Sequence, residues 1–219
     1  MKVCTDACLF GAYIANELQN SPVKNILDIG TGTGLLSLQL AQKTTVEIDA
    51  IEIDTAAFEQ AQENVIQSPW KEKITAHNID IANFDSAKKY GYIISNPPFF
   101  ENDLVSDDTK KNAAKHDSTL TLQELLNNIE RLLAAEGFFA VLLPYHRTVY
   151  FEEQAGKLHF FLTKKILVKQ TPKHNYFRSI LIFTREKINA QTEEIIIKNE
   201  TGNYSERFTE LLKEYYLYL

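Results

Sequence analysis

Three glycines at alternate positions, in Asp28-Ile29-Gly30-Thr31-Gly32-Thr33-Gly34, stand where a β-branched run ends and a helical run begins. A strand that turns into a helix this abruptly needs backbone freedom that glycine supplies cheaply, and glycine also lets the main chain pass close to a ligand. The turn predicts a β-loop-α unit at the carboxyl edge of a parallel sheet. A dinucleotide fingerprint puts its third glycine five residues after the first, where this chain has Leu35, and Asp28 would meet a pyrophosphate with the wrong charge. A cationic ligand suits Asp28 better. Glu52 ends the second β-branched run, 22 residues after Gly30, where a carboxylate takes the two hydroxyls of a ribose. Ribose plus a positive charge fits S-adenosyl-L-methionine, and Asp80, after the third run, is placed to accept from an adenine amine.

The pattern around the turn alternates: Val23 to Ile29, Leu35 to Gln42, Val46 to Ile53 and Ala56 to Gln67 read as β-α-β-α. Further strands are expected at Ile74 to His77, Tyr92 to Ser95 and Phe138 to Leu143. A helix before the last of these opens at the capping box Thr121-x-x-Glu124 and stops at Gly137. Phe160 to Lys169 and Tyr176 to Thr184 flank Gln170-Thr171-Pro172-Lys173 and pair as an antiparallel hairpin; a strand, Glu194 to Lys198, and a helix, Ser205 to Tyr216, follow. The expected fold is α/β, a Rossmann-like doubly wound sheet, seven-stranded and mostly parallel, ending in that hairpin.

With 219 residues, 44% hydrophobic and 24% charged, and without repeats or a Pro/Gly/Ser-rich linker, the chain reads as a single domain, 1–219. Its parts are an N-terminal helix at 6–20, a cofactor-binding core at 23–144 and a C-terminal hairpin, strand and helix at 157–219. Leu9, Phe10, Tyr13, Ile14 and Leu18 recur at helical spacing, which reads as an amphipathic first helix rather than a signal peptide. No segment reaches the roughly 18 apolar residues of a transmembrane helix, so no membrane partner is expected. Two cysteines, Cys4 and Cys8, make no disulfide framework, and the expected compartment is a reducing cytoplasm. The five histidines show no metal-ligand spacing, so no metal is expected.

Ser95-Asn96-Pro97-Pro98-Phe99-Phe100 follows the fourth run, which in this order borders the first strand at the switch-point crevice. Two prolines in a row fix a rigid extended backbone. A planar exocyclic amine has two N–H donors and a weakly nucleophilic lone pair. The Asn96 side-chain carbonyl and the Pro97 main-chain carbonyl can each accept one of those hydrogens and aim the lone pair at a methyl donor. Phe99 offers a face on which the flat group stacks. Alignment is enough, because a sulfonium is already an excellent leaving group.

With these motifs the chain resembles the class I S-adenosylmethionine-dependent amino-methyltransferases that carry Asn/Asp-Pro-Pro-Tyr/Phe. Met1-Lys-Val-Cys-Thr-Asp-Ala-Cys-Leu-Phe-Gly-Ala-Tyr, Asn96-Pro-Pro-Phe-Phe-Glu-Asn, Lys115-His116 before Leu122-Gln-Glu-Leu-Leu, and Arg178-Ser-Ile-Leu-Ile-Phe narrow the resemblance to the tRNA-Val adenosine-37 N6-methyltransferase family. That resemblance implies methyl transfer to the N6 of a flipped adenine in tRNA. It implies that Thr5, Asp6, Asp28 and Gly30, with Gly32 and Gly34 of the same loop, surround the methionine end of the cofactor. It gives Glu52 to the ribose, Asp80 to the adenine amine, and Asn96, Pro97, Pro98 and Phe99 to the target base. Two features depart from the pattern: position 4 is Cys where Gly is usual, and relatives usually carry a basic, aromatic segment upstream of the Met that is here residue 1. The departure implies either a start further upstream or a trimmed substrate entrance.

The net charge is −6, so an RNA contact must come from a local patch. Between Lys157 and Arg178 lie six Lys or Arg (Lys157, Lys164, Lys165, Lys169, Lys173, Arg178) and no Asp or Glu, which predicts a tRNA-binding face with Tyr176 and Phe177 beside it. Lys110, Lys111, Lys115 and His116 fall in the loop after the tetrapeptide, in position to cover a flipped base. Two other readings share parts of this pattern. A glutamine-N5 methyltransferase of a release factor would carry both motifs without needing the basic stretch; a non-catalytic cofactor-binding assembly module would not need an intact Asn96-Pro97-Pro98-Phe99. Nothing in the sequence sets an oligomeric state, and a monomer is the default.

Overall fold

The β-branched runs become the strands of one sheet, seen in a computed structural model that describes residues 4–98 and 120–219. Phe99, Lys110, Lys111, Lys115 and His116 lie outside the described residues. The strands are β1 (Asn25–Ile29), β2 (Glu47–Glu52), β3 (Ile74–Asn78), β4 (Tyr90–Ser95), β5 (Leu133–Pro144), β6 (Phe161–Lys169), β7 (Tyr176–Thr184) and β8 (Gln191–Ile196). Their order is β3-β2-β1-β4-β5-β7-β6-β8. Every neighbouring pair is parallel except those of β7, which runs antiparallel between β5 and β6. The sheet therefore has eight strands rather than the expected seven, because β8 adds in parallel to β6 at the outer edge instead of standing apart.

Helices cover both faces, numbered here in chain order over the described residues: α1 (Thr5–Leu18), α2 (Leu35–Lys43), α3 (Thr55–Gln67), α4 (Leu122–Leu132), α5 (Thr148–Lys157) and α6 (Glu206–Leu212). One core packs α1, α2 and α6 on alternate sheet residues such as Ile26, Ile48, Ile94, Leu142 and Ile166. The other packs α4 and α5 on Leu27, Ile93, Phe139, Val141 and Phe183. The period-2 alternation of the strands thus serves two cores, as a doubly wound sheet requires.

The last strand and last helix fall at Gln191–Ile196 and Glu206–Leu212 rather than at Glu194 to Lys198 and Ser205 to Tyr216, and three other features depart further from the sequence pattern. First, α1 is not amphipathic in place: everything from Ala7 to Ala15 is buried, because the helix is enclosed by the sheet, α2 and α6. Gly11 allows the close approach to α2, since a Cβ there would come within 2.0 Å of the Gln39 Oε1. Second, α4 opens at the Thr121/Glu124 capping box as read but ends at Leu132, not at Gly137. Leu133 is already extended and pairs with Tyr90, and the register then slips before Tyr92 meets Phe138. Third, α5 was not expected. Only Thr148, Phe151 and Ala155 of it are buried, too sparse a stripe to stand out from its polar surroundings.

Gly137 sits inside the irregular start of β5 with no room for a side chain. A Cβ would lie 2.9 Å from Leu133 Cγ and 3.0 Å from the Tyr90 carbonyl oxygen, and the latter is main chain and cannot swing aside. Gly137→Ala is expected to cost about 1–3 kcal/mol of stability in denaturant unfolding, the usual range for overpacking. Wild-type stability would show that the β4/β5 junction yields.

Candidate functional site

The carboxyl ends of β1, β2 and β4 meet at one edge, and each is fastened to the next by short hydrogen bonds. Gly30 and Thr31 both donate their backbone N–H to the Ile51 carbonyl at 2.9 Å, joining the first turn to β2. Ser95 Oγ donates to the Ile29 carbonyl at 2.9 Å, joining the end of β4 to β1. Gly30, Gly32 and Gly34 take φ of 71°, 59° and 85°, a region costly for other residues, so the loop's path depends on the glycines. At Gly30 an added Cβ would meet nothing within 4 Å, so the main chain there is open to a ligand.

Asp28 is wholly buried beneath this loop. Its Oδ2 accepts from Thr31 Oγ1 at 2.6 Å and Ser37 Oγ at 2.7 Å, bracing the loop and the first turn of α2. Its Oδ1 is buried without a hydrogen-bond partner among the described residues. Burial, opposed by the two hydroxyls and aided by the charge of Glu52, raises the carboxyl to about 6. Thr31 and Ser37 escaped notice in the sequence; the signal available was a hydroxyl three and nine residues after a strand-end acid.

Glu52 is buried at the end of β2, and both of its oxygens hold backbone: Oε2 accepts from Gly32 N–H at 2.8 Å and Oε1 from Asp54 N–H at 2.9 Å. The same carboxylate expected to hold a ribose thus shapes the glycine turn. Asp80, at the end of the segment after β3, accepts from Ala82 N–H at 2.9 Å and caps the short turn Ile81–Asn83. Asn96 follows β4 directly; among the described residues its Oδ1 is buried with no hydrogen-bond partner. Pro97 is buried and Pro98 exposed. A buried carbonyl without a donor is costly, and here the unpartnered atom lies one residue past the strand that borders the glycine turn.

At the start of α1, Thr5 is exposed and Asp6 half-buried. Asp6 Oδ2 accepts from Arg178 Nε at 2.7 Å, and Arg178 stands opposite Pro144, at the carboxyl end of β5. Within the expected basic stretch, three further cations are paired in the same way. Lys164 pairs with Glu17, Lys165 with Glu152, and Lys169 with Glu194. Lys164 and Lys165 are consecutive in a strand and reach helices on opposite faces of the sheet, α1 and α5, so they cannot share one patch. A local count of +6 overlooked carboxylates supplied from distant parts of the chain. Lys173 remains exposed in the turn between β6 and β7. Among the described residues, no group of three or more His, Cys, Asp or Glu is arranged to hold a metal, and no helix is long and apolar enough to cross a membrane.

Residues 11–143 match the methyltransferase small domain family. The chain is 43% identical to the tRNA1(Val) (adenine(37)-N6)-methyltransferase of Dyadobacter fermentans over 99% of this chain and 91% of that one. It is 37% identical to the protein of the same name from Bacteroides thetaiotaomicron, over 100% of this chain and 92% of that one. Among solved structures it resembles a predicted O-methyltransferase of Agrobacterium tumefaciens, with TM-score 0.73 and 13% identity over 94% of this chain and 95% of that one. It also resembles a ribosomal protein L11 methylase of Lactobacillus delbrueckii, with TM-score 0.59 and 16% identity over 81% and 78% of the two chains.

Because the folded-state value of Asp28 lies above the ordinary 3.8, the native protein holds a proton that the unfolded chain has released. Its contribution to stability is fully present below about pH 4 and is lost as pH rises through about 6. Asp28→Asn is expected to flatten this decline when unfolding free energies are compared at pH 4.5 and 7. An equally steep decline in the variant would place the titration elsewhere.

Proposed function

This chain belongs to the methyltransferase small domain family, and from that membership we propose that it transfers a methyl group from S-adenosyl-L-methionine to the N6 of adenine in tRNA. The nearly full-length similarity to proteins named for adenine 37 of tRNA1(Val) makes that nucleotide the proposed target. The observation that carries the chemistry is the buried, unpartnered Oδ1 of Asn96 beside the glycine turn.

The residues present fit the cofactor. Open space at Gly30 admits a ligand against the main chain, and the buried Asp28 carboxylate favours a cation above it. Glu52 orders the turn through Gly32 and keeps lone pairs for ribose hydroxyls; Asp80 is offered to the adenine amine. Thr5 and Asp6 close the methionine end, with Asp6 held in place by Arg178. When bound, the cofactor supplies a methyl group on a positively charged sulfur that departs without acid assistance.

The remaining work is positional. Asn96 Oδ1 and the Pro97 carbonyl accept the two hydrogens of the target amine and turn its lone pair toward the methyl donor. Pro97 and Pro98 keep those acceptors from moving. To Phe99, outside the described residues, this reading gives the stacking of the flipped base. The proton leaves the nitrogen after the methyl has joined it. Since four cations of the 157–178 stretch are paired within the protein, that stretch no longer separates this reading from a glutamine methyltransferase; the similarity to the tRNA enzymes over the whole chain does so instead.

Labelled methyl transfer to unmodified tRNA, with nucleoside mass spectrometry and a release factor as parallel acceptor, tests the reading: N6-methyladenosine is expected, and label on the release factor alone would refute it. Asn96→Ala is expected to lower turnover about 100- to 1000-fold while calorimetric affinity for the cofactor stays near wild type; equal turnover removes Asn96 from the reaction. Glu52→Ala is expected to weaken cofactor binding at least ten-fold, and unchanged affinity would contradict its role.

A further inference from the structure

Exposed aromatic side chains concentrate where β5 leaves the carboxyl edge. Tyr145 is 41% exposed and Tyr150 42%, although both precede or begin a helix that buries Phe151 and Ala155. Neither ring is loose. Tyr145 packs against Tyr176 with centroids 5.2 Å apart, and Tyr176 is itself fixed by Glu194, to which its hydroxyl donates at 2.7 Å, and by the Lys169 ammonium 4.5 Å from its ring centroid. The Arg147 guanidinium lies 5.0 Å from the Tyr150 ring centroid. Lys173 and His174 are exposed in the neighbouring turn, and His174 Nδ1 is 2.7 Å from Thr171 Oγ1. Aromatic faces framed by cations match the chemistry of an unstacked nucleotide: a flat base and an anionic phosphate.

The position suits one particular nucleotide. Val141 of β5 pairs with Ser95, and Tyr145 comes four residues later, so at strand rise it stands roughly 10–15 Å from Asn96 along the same edge. An adenine drawn out to Asn96 leaves its neighbours without a stacking partner. We propose that Tyr145 and Tyr150, with Arg147 and Lys173, form the surface that holds the nucleotide flanking the methylated adenine, Tyr145 replacing the lost stack and the cations taking the adjoining phosphates. This rests on the tRNA reading above and assigns its substrate contacts to the β5–α5 junction rather than to the mid-strand lysines of β6. Tyr145, Arg147 and Tyr150 act as binding residues and touch no reacting atom.

The test is steady-state methylation of unmodified tRNA by the full chain, with calorimetric affinity for S-adenosylmethionine as the check on folding. Tyr145→Ala and Tyr150→Ala are expected to raise the KM for tRNA ten-fold or more, at least five times beyond any fall in kcat, and Tyr145→Phe to restore most of the loss, because a ring and not a hydroxyl does the stacking. Lys173→Glu, in an exposed turn with little folding risk, is expected to raise the same KM at least five-fold. If wild type methylates tRNA but these variants keep KM within two-fold, or if Tyr145→Phe is no better than Tyr145→Ala, the surface is refuted and the tRNA reading stands. If wild type labels only the release factor, both fall together, before any variant is made.

Discussion

The two hydroxyl hydrogen bonds that Asp28 Oδ2 accepts, from Thr31 and Ser37, tie the end of β1 to the glycine turn and to the first turn of α2. A hydrogen bond to a charged group contributes about 1.5–3 kcal/mol, while removing an isolated carboxylate from water costs several. Two bonds therefore come close to offsetting the burial of Asp28 without overcoming it, and the carboxyl is left near 6 with one oxygen unpartnered. A ligand bearing positive charge would supply the missing stabilisation. Glu52 completes the arrangement from the second strand, because its hold on Gly32 N–H prevents the turn from relaxing away from β2.

Much of this was legible beforehand, and the reasons are local. Strand β1, the glycine turn, Glu52 and the Asn96-Pro97-Pro98 segment follow from period-2 patterning, from glycine's access to positive φ and from proline's rigidity, all of which act within a few residues. What the sequence hid was set by distant contacts. Gly137 reads as a helix stop, yet it lies inside β5 because Leu133 had already found Tyr90 across the sheet. Helix α1 reads as amphipathic, yet α6 from the far end of the chain covers the face that patterning left to solvent. Helix α5 escaped because its buried stripe is short.

Charge was the least legible property of all. A run with six cations and no acids suggests a surface field, but ion pairs are chosen by the fold, and Asp6, Glu17, Glu152 and Glu194 all come from other elements. Pairs as accessible as these add little stability individually. Their effect is to neutralise charges that the local count had left unopposed.

The partners of α1 arrive late. Asp6 waits for Arg178, Tyr13 for Glu193 and Glu17 for Lys164, and α6 closes over the helix only at residues 206–212. At ordinary ribosomal speeds of about 5–20 residues per second, the first helix is made roughly ten to forty seconds before its last contacts exist. During that interval the apolar stretch from Ala7 to Ala15 has α2 beside it but not yet β5 or α6. The nascent chain thus presents a greasy N-terminal segment to whatever holds emerging polypeptides.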